Sequence, residues 1–326
     1  MKSPLISLVI VNYNGQGIIK MCLSSLLKIN YPKNKYEIVV VDNASTDESI
    51  SIIKKFQKVK VIKNKSNLGY SGINSALRYC KGKYILFLNN DIEVDKDCIK
   101  SLVKAIESDK DAAMAAPRLV NFYNKKLKSN GTWISRAFYN GHIKDNNEDS
   151  FKQLHYKEIP YLGVGLIKKE FVDMFGYLFD PDYFIYAEDI DLGLRIRLNG
   201  KKVLFEPKAV MYHMHAATTQ KAGRAFTTFL MERNLLTTFF KIFSIKNIVL
   251  HLPYVVFARF AAIARDLAML RIDIAFSRLR AMFSILFNIN PILKKRSQTQ
   301  KFRQVDDEYI LKVFGEKYLF KPKFIV

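Results

Sequence analysis

Residues 84–95 read YILFLNNDIEVD, an apolar run that ends in three consecutive polar residues, Asn89, Asn90 and Asp91. Tyr84 to Leu88 combines aromatic and aliphatic side chains and follows the turn-like KGK at 81–83, which predicts a buried strand. The polar triplet then stands at the strand's carboxyl end. In open parallel sheets that edge binds ligands, because its loops vary freely over a rigid scaffold.

Working outward, strands are expected at Leu5 to Val11, Tyr36 to Val41 and Lys60 to Lys63. Helices are expected at Ile18 to Ile29, Ser49 to Phe56, Gly72 to Tyr79 and Asp97 to Ser108. With the strand at Tyr84 this alternation is βαβαβαβα, an α/β fold with a mostly parallel sheet. Each strand closes on a polar cluster: NYNG at 12–15, DNASTD at 42–47, NKSNLG at 64–69 and NND at 89–91. Clusters repeated at one sheet edge would line a single crevice. None is a GxGxxG or a GxxxxGK[ST], so neither the dinucleotide fingerprint nor the P-loop is present. Asn43, Ser45 and Asp47 can cap the next helix. Asp42 differs, since an acid ending an apolar strand needs a donor, and the imide N–H of a uracil or thymine base is a suitable one.

The chain has 326 residues, 49% of them apolar, enough for one large α/β domain or two halves with an appendage. Its formal charge of +22 fits a nucleic acid, an anionic membrane surface or a phosphorylated substrate, and charge alone does not choose. The basic residues are spread along the chain with no RNP, KH or basic-helix signature, which argues against a nucleic-acid partner. Cys22, Cys80 and Cys98 lack CxxC spacing, so neither a disulfide framework nor a zinc site is expected, and a reducing compartment is the simplest setting. The amino-terminal MKSPLISLVIVNYNG runs into polar residues without a small-residue cleavage site and reads as a first strand, not a signal peptide.

Residues 121–158 are polar and aromatic with few periodic runs, so long loops are expected. Residues 161–184 then read as a strand, a short helix and a turn. In FIYAEDIDLGLRIRLNG, Glu188, Asp189 and Asp191 open a helix whose Ile190, Leu194, Ile196 and Leu198 would face the core, and Gly200 ends it. Acids suit a helix amino terminus, and Asp191 has Arg195 four residues on, as a surface or half-exposed pair. Asp189 has Leu192 and Gly193 at those spacings and is left facing the crevice. His213 and His215 lie two apart on a predicted strand, hence on one face. Arg224 and Arg233 follow, each a helix-surface salt bridge or a phosphate contact.

SLVIVNYNG, EIVVVDNASTDES, NLGYSGINSAL, ILFLNNDIEV and YAEDIDLGLRIRLNG, in this order, resemble family 2 glycosyltransferases of the GT-A fold, and within them the rhamnosyltransferase-like branch. The resemblance covers about residues 4–240. It implies a nucleotide diphosphate sugar donor, a divalent metal (Mg2+ or Mn2+) on the diphosphate, and inversion at the anomeric carbon by a carboxylate base. Asn12 and Tyr13 would contact the nucleoside and Asp42 its base. Asn67, Gly69 and Asn74 match the segment that closes the donor pocket, with Asn89 and Asn90 beside it. Asp91 matches the last acid of a DxD whose first acid is here Asn89, an amide that supplies one oxygen and no charge. Asp189 matches the base, with Glu188 as runner-up. His213 would complete the metal site, with His215 in reserve.

From about Lys241 the composition shifts to helix formers threaded with arginines. No uncharged stretch reaches ~18 residues, so a spanning helix is not expected. Phe257, Ala261, Ala264, Ala268, Ile272, Ala275, Leu279, Met282 and Leu286 fall at spacings of three and four and predict a packing seam. Arg259, Arg265, Arg271, Arg278 and Arg280, mixed with Phe260, Ile263, Leu267 and Phe276 on its flanks, suit a helix lying on an anionic membrane; a homodimer or interdomain helix is the competing reading. The basic KKR at 294–296 adds to the first reading. The expected organisation is a nucleotide-sugar-binding half at 1–116, an acceptor and catalytic half at 117–240, and a basic amphipathic helical region at 241–326. The expected function is sugar transfer to a glycan or lipid-linked acceptor in cell-surface polysaccharide synthesis, in the cytoplasm and peripheral on the inner face of the cell membrane. Two alternatives remain. A non-catalytic sugar-nucleotide-binding scaffold would not need Glu188, Asp189 and His213 together, and a basic nucleic-acid-binding protein would explain the charge.

Overall fold

Short apolar runs joined by crossovers form parallel strands, because each strand buries both faces under the crossover helices. The computed structural model, which describes residues 3–129, 132–142, 157–214 and 223–312, opens in this way. In order come β1 (Ile6–Asn12), α1 (Ile19–Leu27), β2 (Tyr36–Asp42), α2 (Ser49–Lys54), β3 (Val59–Lys63), a 3-10 helix (Tyr70–Tyr79) and β4 (Tyr84–Asn89). β1 pairs in parallel with β2, with Asn12 opposite Asp42, and with β4, with Val11 opposite Asn89. The register therefore delivers Asn12, Asp42 and Asn89 to one edge. The segment expected as a regular helix at 72–79 instead begins at Tyr70 and is 3-10. Its turns close three residues back, Gly72 N–H donating to Gly69 O and Cys80 N–H to Leu77 O.

Next come β5 (Ile92–Val94), α3 (Cys98–Ser108), β6 (Ala112–Asn121), β7 (Leu127–Ser129), β8 (Thr132–Ile134), β9 (Asn140–His142), β10 (Lys157–Ile159), β11 (Gly165–Lys168), α4 (Lys169–Phe175), α5 (Glu188–Leu198) and β12 (Lys202–His213). Among the described residues the main sheet runs β10-β12-β6-β11-β4-β1-β2-β3, with β5 on β12, β7 on β6, and a separate β8-β9 hairpin. β11 inserts antiparallel between β4 and β6, while β12 runs parallel to β6, so the sheet is mixed and mostly parallel. Where long loops were expected, the described part of 121–158 carries the short strands β7 to β10.

Helix α5 divides two cores. Leu192 and Ile196 join the cluster built on the sheet, whereas Ile190, Leu194 and Leu198 join a second cluster with Phe138, Phe239, Phe243 and Ile285. A helix buried on nearly every side can position an active-site residue more rigidly than a loop can. The second cluster is supplied by α6 (Arg224–Ile242), α7 (Ile245–Ala268), α8 (Ile272–Phe287) and α9 (Ile289–Gln300), followed by α10 (Asp307–Leu311).

The packing seam expected over 257–286 is not found. Phe257, Ala261, Ala264, Ala268, Ile272 and Leu286 are exposed; Ala275 is buried, and Leu279 and Met282 are half-buried. The arginine-bearing side turns inward instead. Arg259 is completely buried, donating to Glu232 Oε2 at 3.2 Å and to the Ala137 and Phe138 carbonyls. Arg278 pairs with Glu232 and, at 2.8 Å, with Asp266. These paired charges take the inner positions, and the break at Met269–Arg271 prevents one stripe from running through both helices. Against expectation, α7 is long and apolar enough, by length and composition, to cross a membrane.

Candidate active site

The buried amide of Asn12 ties the strand-end loops together. Its Nδ2 donates to Asp42 Oδ1 at 3.0 Å, Ser45 Oγ at 3.2 Å and Ser49 Oγ at 3.0 Å, and its Oδ1 accepts from Asn90 Nδ2 at 2.9 Å. Gly15 is required beside it, because a Cβ there would stand 2.3 Å from both Asn12 Oδ1 and Asn90 Nδ2. Asp42 also accepts from Ser45 N–H at 3.0 Å and Ser45 Oγ at 2.6 Å. The chain itself thus supplies donors to Asp42, and burial alone does not demand a nucleoside base. Tyr13, Asn89 and Asn90 sit half-buried on this edge.

A second set of amides orders the 64–74 segment. Asn43 Nδ2 donates to Gly69 O at 2.6 Å, Asn64 Nδ2 to Asn43 Oδ1 at 2.8 Å, and Gly69 N–H to Asn67 Oδ1 at 2.9 Å. Gly69 has φ +63°, and a Cβ on it would lie 1.8 Å from Phe184 O, so both conformation and space call for glycine. Asn74, expected at the donor, engages both ends of its amide elsewhere. It donates to Phe179 O at 2.7 Å and accepts from Leu178 N–H at 2.9 Å, which makes it a strut under the 178–179 backbone.

Glu188 and Asp189 open α5 directly after two residues in the left-handed region, Tyr186 at φ 70° and Ala187 at φ 59°. Strained backbone of this kind persists only where its surroundings enforce it. Here Asn234, completely buried on α6, donates to the carbonyls of Ile185 at 3.1 Å and Tyr186 at 2.7 Å. Burial pushes the half-buried Asp189 carboxyl up to about 6. Burial and the neighbouring Asp189 charge raise Glu188 well above the usual carboxylate range. Asp191 is set apart. Completely buried, it meets Arg195 Nε at 2.8 Å and Lys241 Nζ at 2.7 Å, and Lys241 reaches Asp180 at 2.5 Å. The expected pair with Arg195 is present, but it belongs to an interior network and not to an exposed helix face.

Asp91 and His213 are brought together by sheet pairing. β12 runs antiparallel to β5 with His213 opposite Ile92, and Met214 N–H donates to Asp91 O at 3.1 Å. His213 Nε2 stands 3.1 Å from Asp91 Oδ1. Among the described residues no group of three His, Cys, Asp or Glu is placed to hold a metal, and His215 lies outside the described residues. Arg233 donates to Asp182 O at 3.0 Å and to Asn234 Oδ1 at 2.9 Å, bracing the 182–186 loop. Arg224 is exposed at the start of α6.

Sequence reasoning passed over Tyr70 and Asn234. The Tyr70 hydroxyl donates to Gly163 O at 2.8 Å, and burial together with the charges of Glu188, Asp189 and Asp91 raises its phenol well above the ordinary value. Gly163 in turn lies beside Asp189, since a Cβ on it would stand 3.4 Å from Asp189 Oδ2. A tyrosine inside the polar NLGYSG and an asparagine inside the apolar ERNLL were the available signals.

Residues 7–158 match the family model described as Glycosyl transferase family 2. The poly(ribitol-phosphate) beta-glucosyltransferase of Bacillus spizizenii is 40% identical over 100 residues, 29% of this chain and 16% of that protein. The chain thus spans less than a fifth of that relative's length. Among solved structures, GalNAc-T7 with UDP, GalNAc and Mn2+ is similar at TM-score 0.60 and 19% identity, over 73% of this chain and 48% of that one. The mannosyltransferase PcManGT of Pyrobaculum calidifontis, in complex with GDP-Man and Mn2+, is similar at TM-score 0.54 and 18% identity, over 96% of this chain and 86% of that one. At those identities the likeness is one of fold. The family 2 match over just under half of the chain, the glycosyltransferase relative, the strand-end motifs and the mixed sheet together support a family 2 glycosyltransferase on a GT-A fold.

Proposed function

We propose that this chain transfers a sugar, with inversion, from a nucleoside diphosphate sugar to a hydroxyl of a cell-surface or lipid-linked glycan. The observation that carries the reading is Tyr70, whose hydroxyl donates at 2.8 Å to the carbonyl of Gly163, itself beside Asp189, and whose phenol is raised by burial and by the charges of Glu188, Asp189 and Asp91. This supports a site in which a proton acceptor and a metal-capable pair act on one substrate. The named relatives and neighbours act on or bind poly(ribitol phosphate), UDP and GDP-Man, which supports this donor and acceptor chemistry.

Asp91 Oδ1 and His213 Nε2 stand 3.1 Å apart, a carboxylate oxygen and an imidazole nitrogen of the kind a divalent cation takes as ligands. Asp91 and His213 would hold it, with the donor diphosphate completing the shell. When bound, such a cation offsets charge on the departing diphosphate. The strand-end loops tied by Asn12 hold the nucleoside side of the crevice rigid. Asp189 accepts the acceptor hydroxyl proton while that oxygen bonds to the anomeric carbon, and the bond from that carbon to phosphate breaks with its electron pair leaving on the diphosphate. Glu188 stands next to Asp189, its carboxyl raised by burial and by the Asp189 charge.

The test is a thermal-shift panel of uridine, thymidine and guanosine diphosphate sugars with and without Mn2+, followed by transfer to a glycan acceptor and NMR of the new linkage. Metal-dependent stabilisation by one donor and an inverted anomeric configuration are expected. Stabilisation without metal, or a retained configuration, contradicts the reading.

A further inference from the structure

Helices α7 and α8 are amphipathic in the inverted sense. Three of their charged side chains, Arg259, Asp266 and Arg278, point inward, where the two arginines pair with Glu232 of α6 and Arg278 also pairs with Asp266. Many of their large apolar side chains point outward. On α7 these include Phe257, Phe260 and Leu267, and on α8 Ile272, Phe276 and Phe283, each at helical spacing and each about half or more exposed. At the turn between the helices Leu270 is 85% exposed. A contiguous apolar face of this kind marks an interaction surface.

We infer that the outer face of the α7–α8 hairpin docks on an anionic lipid bilayer, lying in the interface plane with its phenylalanines among the acyl chains. Charge selects the occupant. The exposed charged residues of the two helices and their turn are Lys246, Arg265, Arg271 and Arg280 against the single acid Asp273, on a chain of net charge +22. That fringe complements anionic headgroups. A second copy of the chain would bring the same basic fringe against itself in a two-fold contact. A spanning arrangement of α7 would expose Arg259 and Asp266 to hydrocarbon and break their pairs with Glu232 and Arg278. The helix therefore lies along the membrane instead of through it. The surface owes nothing to the crevice, so this inference and the sugar-transfer reading stand or fall separately.

The test is flotation of the full-length chain with vesicles of phosphatidylglycerol and phosphatidylcholine, alongside the combined variant Phe257→Ser, Phe260→Ser, Phe276→Ser and Phe283→Ser, and the single variant Leu270→Asp in case the combined one misfolds. Analytical ultracentrifugation gives the oligomeric state of each. The wild type is expected to float, and the combined variant to lose vesicle partitioning by about a hundredfold with circular dichroism unchanged. Leu270→Asp is expected to weaken binding by about tenfold. Failure of the wild type to float, equal partitioning of the variants, or equal binding to phosphatidylcholine alone would overturn the inference. So would a wild-type dimer that the variants dissolve without any vesicle binding, or flotation that appears only after removal of residues 313–326.

Discussion

Asn234 Nδ2 lies 2.7 Å from the Tyr186 carbonyl and 3.1 Å from that of Ile185, so α6 holds the left-handed pair from which α5 starts. Removing that donor leaves two carbonyls without it and frees Tyr186 and Ala187 to relax. Asn234→Ala should therefore lower kcat by about 10- to 100-fold while the donor KM stays within about threefold. It should also cost about 1–3 kcal/mol of stability. Steady-state kinetics at a temperature well below the melting transition separates the two effects. A loss confined to Tm would make Asn234 a purely structural residue.

Asp191 should behave as an interior charge. Asp191→Asn leaves Lys241 and Arg195 short of a counter-charge in a site closed to water, a change that typically costs about 3–5 kcal/mol. Urea or thermal unfolding measures it directly. A shift below about 1 kcal/mol would be the behaviour of a surface pair and would contradict the network.

Metal dependence should follow the Asp91–His213 pair. Asp91→Ala is expected to abolish the Mn2+-dependent part of donor stabilisation, and His213→Ala to weaken metal affinity by about 10- to 100-fold. Isothermal titration of the nucleotide sugar with and without EDTA reads both. Unchanged donor affinity in Asp91→Ala would remove the metal assignment.

The pH profile follows from the direction of the Asp189 shift. Burial raises its pKa to about 6, so the ionised, proton-accepting form is complete only above that value. Turnover should rise with pH through about 6 and then level. The sign for stability is the reverse. A carboxyl raised in the folded state contributes stability at pH below its ordinary value, and that contribution is lost as pH rises through about 6. Glu188, raised by burial and by Asp189, acts in the same direction. Glu188→Gln should accordingly raise Tm at pH 8 relative to wild type and leave it nearly unchanged at pH 4. Equal shifts at the two pH values would show that Glu188 is not raised.

The parallel half of the sheet was legible because Val, Ile and Leu runs ended abruptly in amides and acids, and that punctuation survives whatever packs above it. The separation of Asp189 from Asp191 was legible for a similar reason, since a cation four residues on belongs to the helix itself. Asn74 was not, because its partners are backbone groups more than a hundred residues away, and an amide looks the same whether it meets a ligand or a carbonyl. The C-terminal helices were read inside out. Periodicity treats an arginine as a surface residue, and nothing local shows that Arg259 has Glu232 from a neighbouring helix to meet it. The 72–79 segment was read as a regular helix because, over so short a run, the spacing of apolar residues does not separate turns closing three residues back from turns closing four back.

The most direct test of the account is the transfer rate of Asp189→Asn measured beside Glu188→Gln, with donor affinity determined for both. Asn keeps the shape of the side chain and removes its capacity to take a proton. Turnover of Asp189→Asn should fall by about 10²- to 10⁴-fold with donor affinity near wild type, and Glu188→Gln should lose far less. If Asp189→Asn keeps most of its turnover while Glu188→Gln loses it, the base is Glu188 and the central claim is contradicted.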